Sequence, residues 1–279
     1  MKLATARVQG GTRAVRVDGD TLVDLGHDDL GDLLAQPGWR ELATAAEGPT
    51  YPVDGTDLAT LVARPSKVVC VGLNYKNHIQ EMGRDLPEYP TLFSKFADTL
   101  IGATDDIVRP EETDAFDWEV ELAVVIGSPV RRASTAEAEQ AIAGFTVLND
   151  ITCRDWQFRT REWLQGKNWD STTPVGPCLV TPDELPGGVR PTLAVRLEVD
   201  GEVMQSDTTA DLLFDPVALV EYVSTMVRLN PGDIIATGTP GGVGHARKPE
   251  RYLVGGETVV AEIDGIGRLE NRVVKEGAA

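Results

Sequence analysis

The sequence predicts an α+β, β-rich protein with a small N-terminal domain over 1–64 and a larger domain over 65–279. Three Asp-Gly dipeptides between alternating apolar runs carry the β-rich expectation: VRVDGDTLVDL around Asp18-Gly19, LEVDGEVM around Asp200-Gly201 and VAEIDGIGRLENRVV around Asp264-Gly265. Each is a hairpin signal, because a type I′ turn needs positive φ at both central residues. The segment holding the first hairpin is rich in small and acidic residues and ends near Ala63-Arg64-Pro65, which places the boundary. A chain of 279 residues with 42% apolar content has ample material for a core.

The elements follow in order. SKVVCVGLN reads as a strand stopping at Gly72, then a short helix runs from Tyr75 to Met82 and is closed by Gly83. DAFDWEVELAVVIG, Asp114 to Gly127, is the next strand. In it Asp117, Glu119 and Glu121 alternate with Trp118, Val120 and Leu122, so the acids share one face and converge, while the LAVVI run buries the strand. STAEAEQAIAG is helical with Ser134 or Thr135 as cap, and FTVLND is a strand ending at Asn149-Asp150. The segment from Thr152 to about Leu164 reads as helix. Asp215-Pro216 opens the helix DPVALVEYVSTMV with proline at its first position, and Asn230-Pro231-Gly232-Asp233 turns the chain into the strand IIATG.

A net charge of −18, from 44 acids and 26 bases, opposes any grip on a phosphate backbone, so nucleic acid is not an expected partner. No apolar run approaches the ~18 residues of a membrane span, so a membrane is not expected either. MKLATARVQG lacks the apolar core of a signal peptide, which makes cytoplasmic residence the expectation. Cys70, Cys153 and Cys178 are odd in number and widely spaced, as buried free thiols would be. The negative field would also repel a small anionic substrate. A site for one needs local positive charge from a cation or from placed Lys and Arg.

Two carboxylates brought to ~4 Å in a partly screened site repel by roughly 4 kcal/mol, and a cation reverses that sign. Glu119 and Glu121 are so placed, with a solvated edge strand as the alternative reading. Asp150 offers a third oxygen ligand, although Asn-Asp also suits a turn or helix cap. Oxygen-only ligation fits Mg²⁺, Mn²⁺ or Ca²⁺ rather than Zn²⁺. In LNYKNHIQEMG, His78 and Glu81 share a helical face, so the carboxylate can hold one imidazole nitrogen and leave the other to take a proton from water; a surface pair is the alternative. Lys167 sits in a loop crowded with Trp163 and Trp169, and Arg154 with Gln157 shares a helical face suited to gripping a carboxylate. TGTPGGVG, Thr237 to Gly244, is neither a dinucleotide fingerprint nor a Walker loop, but its backbone donors and the Thr239 hydroxyl suit the lining of a site.

In this order the motifs VGLNYKNHIQEMG, LFSKFADTLIG, DWEVELAVVIG, GFTVLNDITCRDWQ, GKNWDSTTPVGP, NPGDIIATGTPGGVG and GETVVAEIDGIG resemble the fumarylacetoacetate hydrolase family, from Pro65 to Val274. The resemblance implies a mixed β-sandwich roll as catalytic domain, a homodimer, and a divalent metal held by Glu119, Glu121 and Asp150. It implies His78 with Glu81 as a water-activating dyad, Lys167 facing the developing oxyanion, and Tyr75, Lys95, Arg154, Gln157 and Thr239 in substrate binding. The sequence departs from the family at Ala97, where many relatives carry proline, and at His245, where an aromatic or aliphatic residue is commoner. The expected reaction is hydrolysis of a C–C bond in a small anionic acylpyruvate-type keto acid. Isomerisation of a 2-hydroxyhepta-2,4-diene-1,7-dioate, decarboxylation of oxaloacetate, a non-catalytic keto-acid binder and a phosphohydrolase are the alternatives.

Overall fold

The computed structural model describes residues 1–81, 83 and 85–277, and the side chain of Glu81 lies outside that description. Strands β1 (Lys2–Val8), β2 (Gly11–Asp18), β3 (Thr21–Asp24) and β4 (Thr50–Pro52) pair in antiparallel succession. Helices α1 (Leu30–Leu34) and α2 (Trp39–Ala45) fill the β3–β4 connection. The three reversals differ in type. Asp200 and Gly201 both take positive φ, 49° and 80°, between the paired residues Val199 and Glu202, which is the expected type I′ turn. The first hairpin instead turns on Gly19-Asp20, because Asp18 pairs with Thr21 and only Gly19 has positive φ. The third spans Asp264 to Ile266, since Ile263 pairs with Gly267.

Next come β5 (Val68–Gly72) and α3 (Lys76–Glu81); residue 82, to which that helix was expected to extend, lies outside the described residues. They are followed by β6 (Thr91–Lys95), β7 (Leu100–Ile101), β8 (Ile107–Arg109), β9 (Phe116–Asp117) and β10 (Val120–Ile126). Helix α4 (Thr135–Ala141) opens with a full capping box between Ser134 and Glu137, then β11 (Ile142–Asn149) and β12 (Thr152–Cys153) follow. The helix expected over 152–164 is broken into α5 (Arg154–Gln157) and α6 (Leu164–Lys167). In the gap Trp163 lies on Gly72, where a Cβ would stand 2.3 Å from the indole, and meets Phe93 edge-on at 5.5 Å. That tertiary packing overrides local helical preference. The chain closes with β13 (Thr173–Val180), β14 (Ala194–Val199), β15 (Glu202–Thr208), α7 (Pro216–Met226), β16 (Ile234–Ala236), β17 (Thr258–Ile263) and β18 (Gly267–Lys275). Asp215 caps α7 through the N–H groups of Val217 and Ala218.

An 11-stranded sheet runs in the order β4-β3-β2-β1-β13-β11-β10-β16-β5-β6, with β7 paired to β13 off that path. A five-stranded sheet has the order β15-β14-β17-β18-β8, and β12 pairs with β9. Most pairings are antiparallel, while β13–β7, β16–β5 and β18–β8 are parallel. β10 and β11 are buried along their whole length because both sheet faces are covered. On one side Leu122, Val124, Phe145 and Val147 share a core with Leu197, Val259, Ala261 and Leu269 of the five-stranded sheet. On the other, Ala123, Val125 and Ala143 pack with Leu30, Leu33 and Trp39. The result is the expected β-rich mixed sandwich. Each fully buried Leu or Phe contributes roughly 1.5–3 kcal/mol, so this pair of strands forms a rigid base for the charged residues at its end.

Candidate metal centre and active site

Glu119 immediately precedes β10, Glu121 lies on it, and Asp150 immediately follows β11. The antiparallel register sets Val120 opposite Asn149, and the Asp150 N–H donates to the Glu119 carbonyl at 2.8 Å. The Glu119 N–H in turn donates to Asn149 Oδ1 at 3.0 Å. Carboxylate oxygens of Glu119, Glu121 and Asp150 thereby come within 4.8 Å of one another, all three residues buried. Oxygens bound to one hard cation at ~2.0–2.6 Å have that separation or less, so the donor set fits a divalent ion.

Among the described residues, three cations surround the acids. Lys167 Nζ lies 2.7 Å from both Glu119 Oε2 and Asp150 Oδ2, Lys95 Nζ 2.8 Å from Asp150 Oδ1, and Arg154 Nη1 2.7 Å from Glu119 Oε1. Both oxygens of Glu119 and of Asp150 are thus engaged. Glu121 receives only the Gly238 N–H, at 2.7 Å, among the described residues. Burial, then Asp150 and Glu119, push the Glu121 carboxyl well above the usual carboxylate range. Burial works the same way on Asp150, but Lys167 and Lys95 outweigh it and hold that carboxyl low. Burial alone would lower the Lys167 ammonium, yet Asp150 and Glu119 raise it to about 12. A divalent ion would supply the positive charge that Glu121 lacks.

Asp117, the first acid of the alternating series, faces a different task. Its Oδ1 accepts from the N–H groups of Trp118 and Gly244, and its Oδ2 from His245 N–H and Arg154 Nε, at 2.7 to 3.0 Å. It ties the glycine-rich loop to α5. Only glycine fits at 244, where a Cβ would stand 2.7 Å from Asp117 Oδ1 and closer still to the Arg251 carbonyl. At Gly238, with φ 100°, a Cβ would meet the Val71 carbonyl at 2.9 Å, so the donor to Glu121 is also glycine by necessity.

A cavity of about 130 Å³ opens over Glu119 and Glu121, and His78, Lys167, Arg154, Gln157 and Thr239 line it as well. Phe93, Phe158, Trp163, Val243 and His245 form much of the rest of the wall. Arg154 Nη2 is buried and has no hydrogen-bond partner among the described residues. Gln157 accepts from Arg154 Nη1 at 3.1 Å, which leaves its amide group as a donor. The Thr239 hydroxyl donates to the Val120 carbonyl and accepts from Gln205 Nε2. Tyr75, fully buried, and Lys95, which donates to Asp150 Oδ1, do not line this cavity, and neither does Asp150. The Glu81 side chain is outside the described residues. Gln205 carried no local sequence signal for this site, and the alternation that marks Asp117 gave no sign of its partners Arg154, Gly244 and His245.

Lys167 is placed by the packing of α6 on α5. A Cβ on Gly166 would stand 2.5 to 2.6 Å from the Cβ, Cα and N of Gln157. Gly166→Ala is therefore expected to part the two helices, cost about 1–3 kcal/mol in denaturant unfolding, and lower turnover by displacing Lys167. Unchanged stability and turnover would show that α6 is not held by this contact.

Residues 67–274 match the family described as fumarylacetoacetate (FAA) hydrolase C-terminal. Over 233 residues the chain is 42% identical to the mitochondrial oxaloacetate tautomerase Fahd2a of Rattus norvegicus, covering 83% of this chain and 74% of that protein. The solved fumarylacetoacetate hydrolase from psychrophilic Exiguobacterium antarcticum superposes with a TM-score of 0.88 at 32% identity, over 99% of this chain and 100% of that one. The 5-carboxymethyl-2-hydroxymuconate delta-isomerase from Mycobacterium smegmatis gives 0.82 at 32% identity, over 99% and 100%. The stretch that matches is the one from which the resemblance was read, and it contains the whole carboxylate cluster and its cavity. The chain belongs to the fumarylacetoacetate hydrolase family, whose members named here are a tautomerase, a hydrolase and an isomerase.

Proposed function

We propose that this protein interconverts the keto and enol forms of a short 2-oxo dicarboxylate of the oxaloacetate class. The observation that carries the reading is one cavity opening over Glu119 and Glu121 of a buried oxygen-only triad, beside Arg154 Nη2, a buried donor without an acceptor among the described residues. The name of the 42%-identical rat relative supports the same substrate class. Glu119, Glu121 and Asp150 would hold a divalent ion, Mg²⁺ or Mn²⁺, which would supply Lewis-acid polarisation of a bound 2-oxo acid. His78 takes a proton from C3, and the C–H electron pair moves through to the 2-oxygen to give an enolate. Lys167 holds positive charge beside that oxygen, where preplaced charge contributes most. Protonation on oxygen yields the enol and on C3 returns the ketone. Arg154 and Gln157 bind carboxylate oxygens of the substrate.

Hydrolysis of an acylpyruvate is the second reading, and one observation favours it. His78 also borders a polar groove with Asn77, Gln80, Ser206 and Asp207, which gives water a route to the imidazole. The deprotonated water would add to the distal carbonyl, and the C–C bond would break to release a pyruvate enolate. Stopped-flow loss of enol absorbance from enol-oxaloacetate, alongside pyruvate release from acylpyruvates, separates the two. Expected is Mg²⁺-dependent ketonisation that falls at least 100-fold in EDTA and returns with Mg²⁺ or Mn²⁺. Ketonisation no faster than buffer with any divalent ion, or equal rates in EDTA, overturns the proposal.

A further inference from the structure

The turn that follows the glycine-rich loop carries an imidazole that the reaction described above does not use. Asp117 anchors the backbone of Gly244 and His245 with the same carboxylate that holds Arg154 Nε, so the His245 ring and the Arg154 guanidinium are fixed on one support. Both line the cavity. His245 Nδ1 lies 2.9 Å from the Tyr252 hydroxyl, and that hydroxyl donates to Glu250 Oε2 at 2.8 Å. A phenol that donates to the carboxylate has its oxygen left to accept, so the network assigns the proton to His245 Nδ1. Nε2 makes no hydrogen bond among the described residues. A ring that already carries Nδ1–H offers a donor at Nε2 only as imidazolium, and Glu250 Oε1, 3.5 Å from Nδ1, is the counter-charge for that form.

The setting suits a ligand anion. The His245 side chain is 40% exposed, at the mouth rather than the floor of the cavity. Its ring is flanked by Phe158 at 5.2 Å and Tyr252 at 6.5 Å, which limits its rotation. In a chain of net charge −18, a dianionic substrate needs a donor at each end. The triad with Lys167 and Arg154 serves the 2-oxo acid end, and His245 stands at the outer end. We propose that His245, oriented by Tyr252 and Glu250, binds the second carboxylate of the substrate and selects dicarboxylic over monocarboxylic 2-oxo acids. The inference rests on the tautomerase reading for the substrate class, but it is tested by binding rather than by turnover.

Calorimetric titration of the Mg²⁺-loaded protein with oxaloacetate, pyruvate and oxalate provides the test, oxalate being a chelating diacid without a remote carboxylate. The parent is expected to bind oxaloacetate at least tenfold more tightly than pyruvate. His245→Phe should bring oxaloacetate to the affinity of pyruvate while oxalate stays within about twofold. His245→Gln, which keeps an amide donor near the Nε2 position, should recover part of the preference, and Tyr252→Phe should lose part of it. Selective binding without ketonisation would sink the tautomerase reading and leave this one standing. A parent with no preference for the diacid, a His245→Phe protein that keeps the preference, or an equal loss of oxalate and oxaloacetate would each overturn it.

Discussion

Asp150→Asn is expected to abolish divalent-metal-dependent turnover and to lower thermal stability at the same time. Asp150 is fully buried and receives two ammonium groups, Lys95 on Oδ1 and Lys167 on Oδ2. An amide of the same shape presents one acceptor and one donor, so one lysine then faces an N–H₂ group in the protein interior. Breaking a buried ion pair by neutralising one partner costs about 3–5 kcal/mol, because the remaining charge stays buried without compensation. For a chain of this size that corresponds to a fall in melting temperature on the order of 10 °C. Loss of one of the three clustered carboxylates should reduce turnover by a factor on the order of 10³, the scale seen when a preplaced electrostatic group is removed. Scanning calorimetry with and without EDTA, beside a turnover assay at saturating Mg²⁺, reads both effects. A variant with the parent's melting temperature and the parent's Mg²⁺-induced stabilisation would mean that Asp150 is neither paired nor ligating.

That double sensitivity follows from how the cluster is assembled. Asp150 and Glu119 are neighbours through one backbone hydrogen bond at the end of the β10–β11 ladder, and the strands themselves are fixed by apolar packing on both faces. The charges therefore sit on a base assembled by apolar packing, and their own burial is what makes any one of them costly to leave unpaired. The three cations hold the clustered carboxylates in place, as second-sphere groups around metal sites do.

Which parts of this were legible in the sequence follows from the range of the interactions. Period-two alternation located Glu119 and Glu121 because strand geometry is local. Ser134 and Asp215 were readable as caps for the same reason. Lys95 was not readable in its true position: it lies on Asp150, 55 residues away in sequence, and nothing around LFSKFADTL signals that partner. Asp117 shares the alternation of its neighbours, yet β9 leaves the β10 ladder to pair with β12, so its carboxylate turns toward the 244–245 turn. The break between α5 and α6 was equally hidden, since FRTREW contains neither Gly nor Pro and the cause is Trp163 seated on Gly72. In the hairpins, Asp-Gly fixed the presence of each reversal but not its length, because strand register is set by which residues face the core.

His78→Ala is expected to retain the fold and Mg²⁺ binding while losing the chemical step. His78 lies on α3, is about nine-tenths buried, lines the cavity over Glu119 and Glu121, and is not one of the three clustered carboxylates. Alanine has the higher helix propensity, which offsets part of the lost packing and should leave the stability change near or below 1 kcal/mol. Removing a positioned general base lowers turnover by about 10²–10⁴-fold. The informative readout is exchange of the C3 protons of a 2-oxo dicarboxylate into D₂O, followed by NMR, since this reports proton abstraction whether or not a C–C bond later breaks. Calorimetric Mg²⁺ binding should match the parent. Exchange at the parent rate would remove His78 as the base and leave Lys167, held protonated by Asp150 and Glu119, poorly suited to replace it. Loss of exchange with Mg²⁺ binding intact would locate the proton transfer on α3, separate from the carboxylates that organise the substrate.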